Sequence, residues 1–206
     1  MSAHLYIEGS RTGPDSKEQQ IRCREGFRKL FEKCELKGRM PRLSACGSRN
    51  DAFKDFKTAH AQRKTGEYIA LLVDSEDPVA EIEETWSHLK RRDQWEMPAG
   101  AADDQVLLMT MCTETWIVAD RSALVAYFDQ DFRPNHLPAL TDLEGRDRHE
   151  VQDALIRASR DCKSAYKKGN RTFDLVGLLG PNELERYLPS FVRIVRILKE
   201  KLYRKC

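Results

Sequence analysis

The chain has 206 residues, 40% of them hydrophobic and 33% charged, with a formal net charge of +2. That length and apolar share fit one domain with a real core, and exclude a disordered or fibrous chain. No apolar run approaches the ~20 residues of a membrane span, and the small net charge does not by itself announce nucleic acid. Charge is patchy all the same. Residues 21–42 and 193–205 are basic, and residues 74–84 are acidic.

Residues 4–8 read as a first strand, too short for a helix. Gly9 to Pro14 is turn-rich, and Asp15 or Ser16 is positioned to cap a helix reaching about Leu36, with Ile21, Phe27, Leu30, Phe31 and Cys34 on one face. Lys37-Gly38 stops it. Residues 41–46 form a second strand, and Gly47-Ser48-Arg49-Asn50-Asp51 turns into a helix over 51–64 with Phe53 and Phe56 inward. Residues 68–73 are a continuous apolar run, the pattern of a strand buried on both faces.

Asp77-Pro78 predicts a helix start, continuing towards His88 or Lys90. Residues 93–104 are irregular and 106–111 are the fourth strand. A helix follows over 114–128, with Trp116 and Ile117 in the core, then a loop over 129–144. Two long helical patterns, 147–168 and 181–203, close the sequence around a short segment at 172–179. Strands alternating with helices predict an α/β fold. Its sheet is mostly parallel, with four strands flanked by helices. Residues 1–128 read as the core and 129–206 as a helical extension packed on it as one compact unit.

Six cysteines occur without a C-x-x-C pair or neighbouring histidines at zinc spacing. Cys23, Cys46 and Cys112 fall in apolar patterns and read as reduced core residues. With no secretory leader in the first residues, the expected location is cytoplasmic.

The chemistry gathers at strand ends, where sites of parallel sheets lie. Leu5-Tyr6-Ile7-Glu8-Gly9 and Leu71-Leu72-Val73-Asp74-Ser75-Glu76-Asp77 each end an apolar run in carboxylate. If those strands are neighbours, Glu8, Asp74 and Glu76 share one edge, where they repel unless a cation joins them. Asp74 and Glu76 are two apart, so in extended backbone they point the same way and suit a hard cation, Mg2+ or Mn2+. Asp77 reads equally as a plain helix cap. Glu114 lies at the same edge, either as a further ligand or as a favourable charge at a helix start. Asp120, further along, is a weaker ligand candidate. Gly9 permits close approach of a phosphate. Arg49, Asn50 and Lys168 are candidate phosphate contacts. Trp86, His88 and Trp95 read either as groove residues or as core. No P-loop is present.

A first strand ending in Glu-Gly, followed by a D-x-D-like turn after a later apolar strand, resembles the Toprim domain of topoisomerases, primases and OLD-type nucleases. The wider pattern resembles a bacterial Toprim-like family often encoded beside an ATPase, in Leu5 to Gly9, Gly47-Ser48-Arg49, Leu71 to Glu76, Glu114-Thr115-Trp116-Ile117-Val118-Ala119-Asp120 and Tyr166-Lys167-Lys168-Gly169. The resemblance implies a catalytic Glu8, serving as metal ligand or general base, with Asp74 and Glu76 as metal ligands. Glu76 departs from the aspartate usual there. It further implies a metal-dependent nuclease acting on phosphodiesters, with an AAA/ABC-type ATPase partner, nucleic acid as substrate and a role in defence against phage or plasmids. The competing expectation is a non-catalytic Toprim-like subunit that binds an ATPase or nucleic acid. A receiver-type regulator ranks last, because no later strand ends in the lysine it would need.

Overall fold

The computed structural model describes residues 2–9, 16–169 and 171–203. The expected loop after Gly9 and the Asp15 cap lie outside them. Four strands, β1 (Ser2–Glu8), β2 (Arg42–Cys46), β3 (Glu67–Asp74) and β4 (Val106–Met109), make one sheet in the order β2-β1-β3-β4, every neighbouring pair parallel. The fold is α/β and Rossmann-like, with helices on both faces and a C-terminal helical extension. Ile7 pairs with Leu72 and Asp74 with Met109, so β1, β3 and β4 end at one edge.

Side-chain alternation along β3 divides the interior in two. Tyr68, Ala70 and Leu72 join Leu5, Ile7, Phe27, Trp116 and Phe191 in the larger core; Ile69, Leu71 and Val73 join Phe53, Phe56, Trp86 and Leu89 in the smaller one. The first face is covered by α1 (Ser16–Phe31), followed by a kinked turn to Leu36 that is left-handed at Glu35, and by α4 (Thr113–Ala119), α5 (Arg121–Tyr127), α6 (Arg148–Ser159), α7 (Thr172–Val176), α8 (Pro181–Tyr187) and α9 (Pro189–Tyr203). The second face is covered by α2 (Arg49–Ala61) and α3 (Thr85–Asp93). Residues beyond 128 share the larger core, where Val151, Leu175 and Leu198 are buried with Phe27. Gly26 is what lets α7 lie against α1: a Cβ there would stand 2.3 Å from the Phe173 carbonyl oxygen.

Four expected helices are shorter or divided. Residues 77–84 are not helical, and α3 begins only at Thr85, because a distant aspartate caps it. Asp103 Oδ1 accepts the Trp86 N–H at 2.8 Å and the Thr85 hydroxyl at 3.2 Å. The expected 114–128 helix breaks at Asp120, whose side chain accepts the Ala123 N–H and starts α5. The expected 181–203 helix breaks at Leu188, which precedes Pro189 and leaves the α region as residues before proline tend to. The 147–168 pattern ends at Ser159; the Ser159 hydroxyl then accepts the Tyr166 N–H, folding residues 160–169 back as an irregular segment. In the other direction, α2 starts two residues early. Ser48 and Asp51 form a reciprocal capping box there.

Arg193 ties α9 to the sheet. Its guanidinium is buried and donates to the carbonyls of Val106 and Asp103, both at 2.9 Å, and to Glu83 at 2.9 Å. Arg193→Met would remove a buried charged donor from the Val106 carbonyl, while the Asp103 carbonyl keeps the Thr85 hydroxyl and the Val106 N–H, at about 1–3 kcal/mol. Arg196→Met, which breaks exposed pairs with the same Glu83 and with Glu200, is expected to change stability by less than about 1 kcal/mol. Urea unfolding of the two variants checks the contrast.

Candidate functional site

A cleft of about 550 Å³ opens at the C-terminal edge of the sheet and is lined by Glu8, Gly9, Arg49, Asp74, Glu76, Glu114 and Lys168 together. Five elements deliver them. β1 ends in Glu8, β3 in Asp74, α2 begins at Arg49 and α4 brings Glu114 in its first turn. Lys168 comes from the segment between α6 and α7 and is exposed. Gly9 fits because a Cβ there would lie 2.4 Å from the Cys23 sulfur. Asn50 is exposed and does not line the cleft.

Glu8 and Asp74 approach the cleft from opposite sides of the sheet. Glu8 alternates with the buried Ile7, which shares a face with Leu72, whereas Asp74 alternates with Val73 of the other face. Their partners differ accordingly. Glu8 faces the Arg49 guanidinium, Nη1 to Oε2 at 3.6 Å, and Oε2 is buried without a hydrogen-bond donor. Asp74 Oδ1 accepts the Thr113 hydroxyl at 3.0 Å. Burial raises the Glu8 carboxyl above its usual value, with Arg49 opposing. Asp74 is pushed well above the ordinary carboxylate range by burial first and by the neighbouring Glu8 and Glu114.

Arg49 is held more firmly than a free phosphate contact would be. It makes a two-pronged pair with Asp93 at 3.1 and 2.7 Å, donates to the Asp74 carbonyl, and stacks over Trp95 at 4.9 Å. Trp95 in turn stacks on Phe53 at 4.1 Å, and His88 meets the Ser75 carbonyl at 3.0 Å. Trp86, His88 and Trp95 therefore serve the core under the site and do not line it.

Glu76 departs from the extended geometry expected of it. β3 ends at Asp74, and Glu76 takes a left-handed backbone, φ 65°, donating its N–H to the Met111 carbonyl at 2.9 Å. Its carboxylate is paired with Arg92 at 3.0 Å and with Arg148. Asp77 is largely exposed and also pairs with Arg92, at 3.2 Å. Asp120 caps α5 and accepts the Gly180 N–H at 2.7 Å, away from the cleft.

Glu114 is buried. Oε1 accepts the Tyr166 hydroxyl at 2.6 Å and Oε2 the Gln152 amide at 3.3 Å. Sequence reasoning passed over Thr113, Gln152 and Asp93, and named Tyr166 only within the Toprim-like segment, without a role. Thr113 had a local signal, since it stands beside Glu114 at the helix start. Asp93 had none, lying 44 residues from Arg49. Among the described residues, no three His, Cys, Asp or Glu side chains converge closely enough to hold a metal ion as they stand.

Residues 19–199 match the model of one protein family, the domain of unknown function DUF4276. The chain belongs to the DUF4276 family. No curated protein and no solved structure matches it. The matched stretch takes in every lining residue named above except Glu8 and Gly9. No described helix of this DUF4276 protein is long and apolar enough to cross a membrane.

Asp74 supplies a stability test. Its folded value is raised, so the native state holds the proton more tightly than the unfolded chain, and stability falls as pH rises from the ordinary aspartate value through the raised one. Asp74→Asn keeps an acceptor for Thr113 and removes the charge. In chelating buffer it is expected to melt above wild type at pH 7, with the gap closing towards pH 4. Parallel melting profiles for the two proteins would contradict the buried-charge reading.

Proposed function

We propose that this protein is a divalent-metal-dependent phosphodiesterase of Toprim type acting on nucleic acid. The observation that carries the reading is that Glu8, Asp74 and Glu114 line one cleft at the sheet edge. Burial and mutual repulsion there work against the charge of Glu8 and Asp74, and one Glu8 oxygen lacks a donor. Such a cluster suits a hard cation. Mg2+ is commonly held by one or two carboxylates and completed by water and substrate phosphates, so three convergent protein ligands are not required.

Glu8 and Asp74 would hold the ion, with Glu114 beside them. A bound Mg2+ or Mn2+ would offset the carboxylate charge and polarise a phosphoryl oxygen. The remaining residues prepare the cleft. Thr113 fixes the Asp74 carboxylate, Tyr166 and Gln152 fix Glu114, and Arg49 orients Glu8. Glu8, with one buried oxygen free of a donor, would serve as metal ligand or as the general base that takes a proton from an attacking water. Lys168 adds positive charge at the rim. Glu76, held by Arg92 and Arg148, contributes structure to the wall and not a ligand. Partnership with an ATPase and a role in bacterial defence belong to this reading through the Toprim resemblance, and action in the cytoplasm through the cysteine pattern.

The second reading, a non-catalytic Toprim-like subunit, is favoured by the ion pairs that occupy both Glu76 and Arg49. One assay separates the two. Plasmid DNA and RNA are incubated with Mg2+ or Mn2+, with the protein alone and with any ATPase encoded beside its gene. Wild type is expected to cleave, and Glu8→Gln and Asp74→Asn to be slower by at least about 100-fold. Cleavage no greater than that of the double variant sinks the phosphodiesterase reading.

A further inference from the structure

Beside the cleft, behind the segment that carries Lys168, lies a second concavity of about 590 Å³ whose cations are Arg22, Lys163, Lys167 and Arg171. Gln19 lines both concavities. Lys167 and Arg171 face this one, while their chain neighbours Lys168 and Thr172 face the cleft. The two hollows are thus separated by a single ridge.

The charges on this wall are unequal in kind. Arg22 is already engaged, with Glu18 at 2.6 Å and Asp174 at 3.2 Å. Arg171 donates to the neutral Tyr127 hydroxyl at 3.3 Å, and the carboxylates in the lining are Glu18 and Asp174. Among the described residues, Lys163, Lys167 and Arg171 form no ion pair with a carboxylate, and both lysines are exposed. Like charges held along one segment raise each other's energy unless anions lie over them.

The cations are spread along residues 163–171 and continue to Lys168 across the ridge, so they suit a row of negative charges better than a single phosphate. Among the described residues no aromatic side chain lines the hollow, so they offer no stacking platform for bases. We propose that this concavity is a binding track for the sugar-phosphate backbone of nucleic acid, sequence-independent and salt-sensitive, that leads a strand past the ridge to the cleft. The proposal rests on the phosphodiesterase reading only in the last respect, the continuation of the strand to the cleft.

The test is fluorescence anisotropy with a labelled single-stranded oligonucleotide of mixed sequence, in chelating buffer so that nothing is cut. The proteins are full-length wild type, the Lys163→Glu/Lys167→Glu variant and the Lys163→Glu/Lys167→Glu/Arg171→Glu variant. The double variant alters only exposed side chains, and melting curves verify its fold. Wild type is expected to bind, with affinity falling steeply as salt rises. The double variant is expected to bind at least about tenfold more weakly, with a shallower dependence on salt.

Wild type that does not bind, or a double variant with unchanged affinity and salt slope, overturns the track. Equal competition by polyglutamate also overturns it, because the surface would then serve acidic protein segments. The outcomes are separable from the proposed activity. Lysine-dependent binding without cleavage by wild type retains the track and removes the phosphodiesterase reading. Cleavage by wild type with binding unaffected in the variants does the reverse.

Discussion

Glu8 and Asp74 end two neighbouring parallel strands, and the sheet offers them little water in exchange for its order. The strand order puts β1 against β3, so the two carboxylates must share an edge. Burial then opposes the charge of each. The surroundings are organised around that opposition. Arg49 faces Glu8 and reaches the Asp74 carbonyl, and Asp93 and Trp95 hold Arg49 in place. Thr113 holds Asp74 from the other face. The site therefore straddles the end of the sheet, with α2 and α3 supporting one carboxylate and α4 the other.

This division explains the mixture of readiness and closure in the cleft. Oxygens are present and oriented, yet they come from two sides and do not converge on one point. Nearby arginines satisfy the carboxylate that strand geometry alone would have sent inward. Glu76 leaves the strand through a left-handed residue and meets Arg92 and Arg148, so the wall beyond Asp74 is built from ion pairs. Paired in this way, half-buried arginines stabilise the rim without lending their charge to a ligand.

The sheet was readable from the chain because its strands are short apolar runs ended by carboxylate or glycine, and because alternating strands and helices leave few arrangements of a parallel sheet. Glu8, Asp74 and Glu114 were readable for the same reason: a strand end is a fixed place. Glu76 was misread because its direction depends on one backbone angle, set by the Met111 carbonyl, that residue spacing does not encode. Helix boundaries failed where the cap came from afar. Asp103 starts α3 from 17 residues away, and the Ser159–Tyr166 hydrogen bond ends the run that looked helical to 168. The commitment of Arg49 to Asp93 was equally hidden, since nothing local links those positions.

The Arg193 contact bears on how the molecule is made. The Val106 carbonyl on β4 receives its donor from a residue 87 positions later. During synthesis β1, β2 and β3 can pair once β3 has been made, but the Val106 carbonyl of β4 waits for α9 to bring the Arg193 guanidinium. A nascent chain paused between these points carries a bare parallel edge, open to pairing with a neighbour on the same message. The final helix thus acts as a closing clasp, and the interval before it arrives is when the chain is most exposed to misassembly.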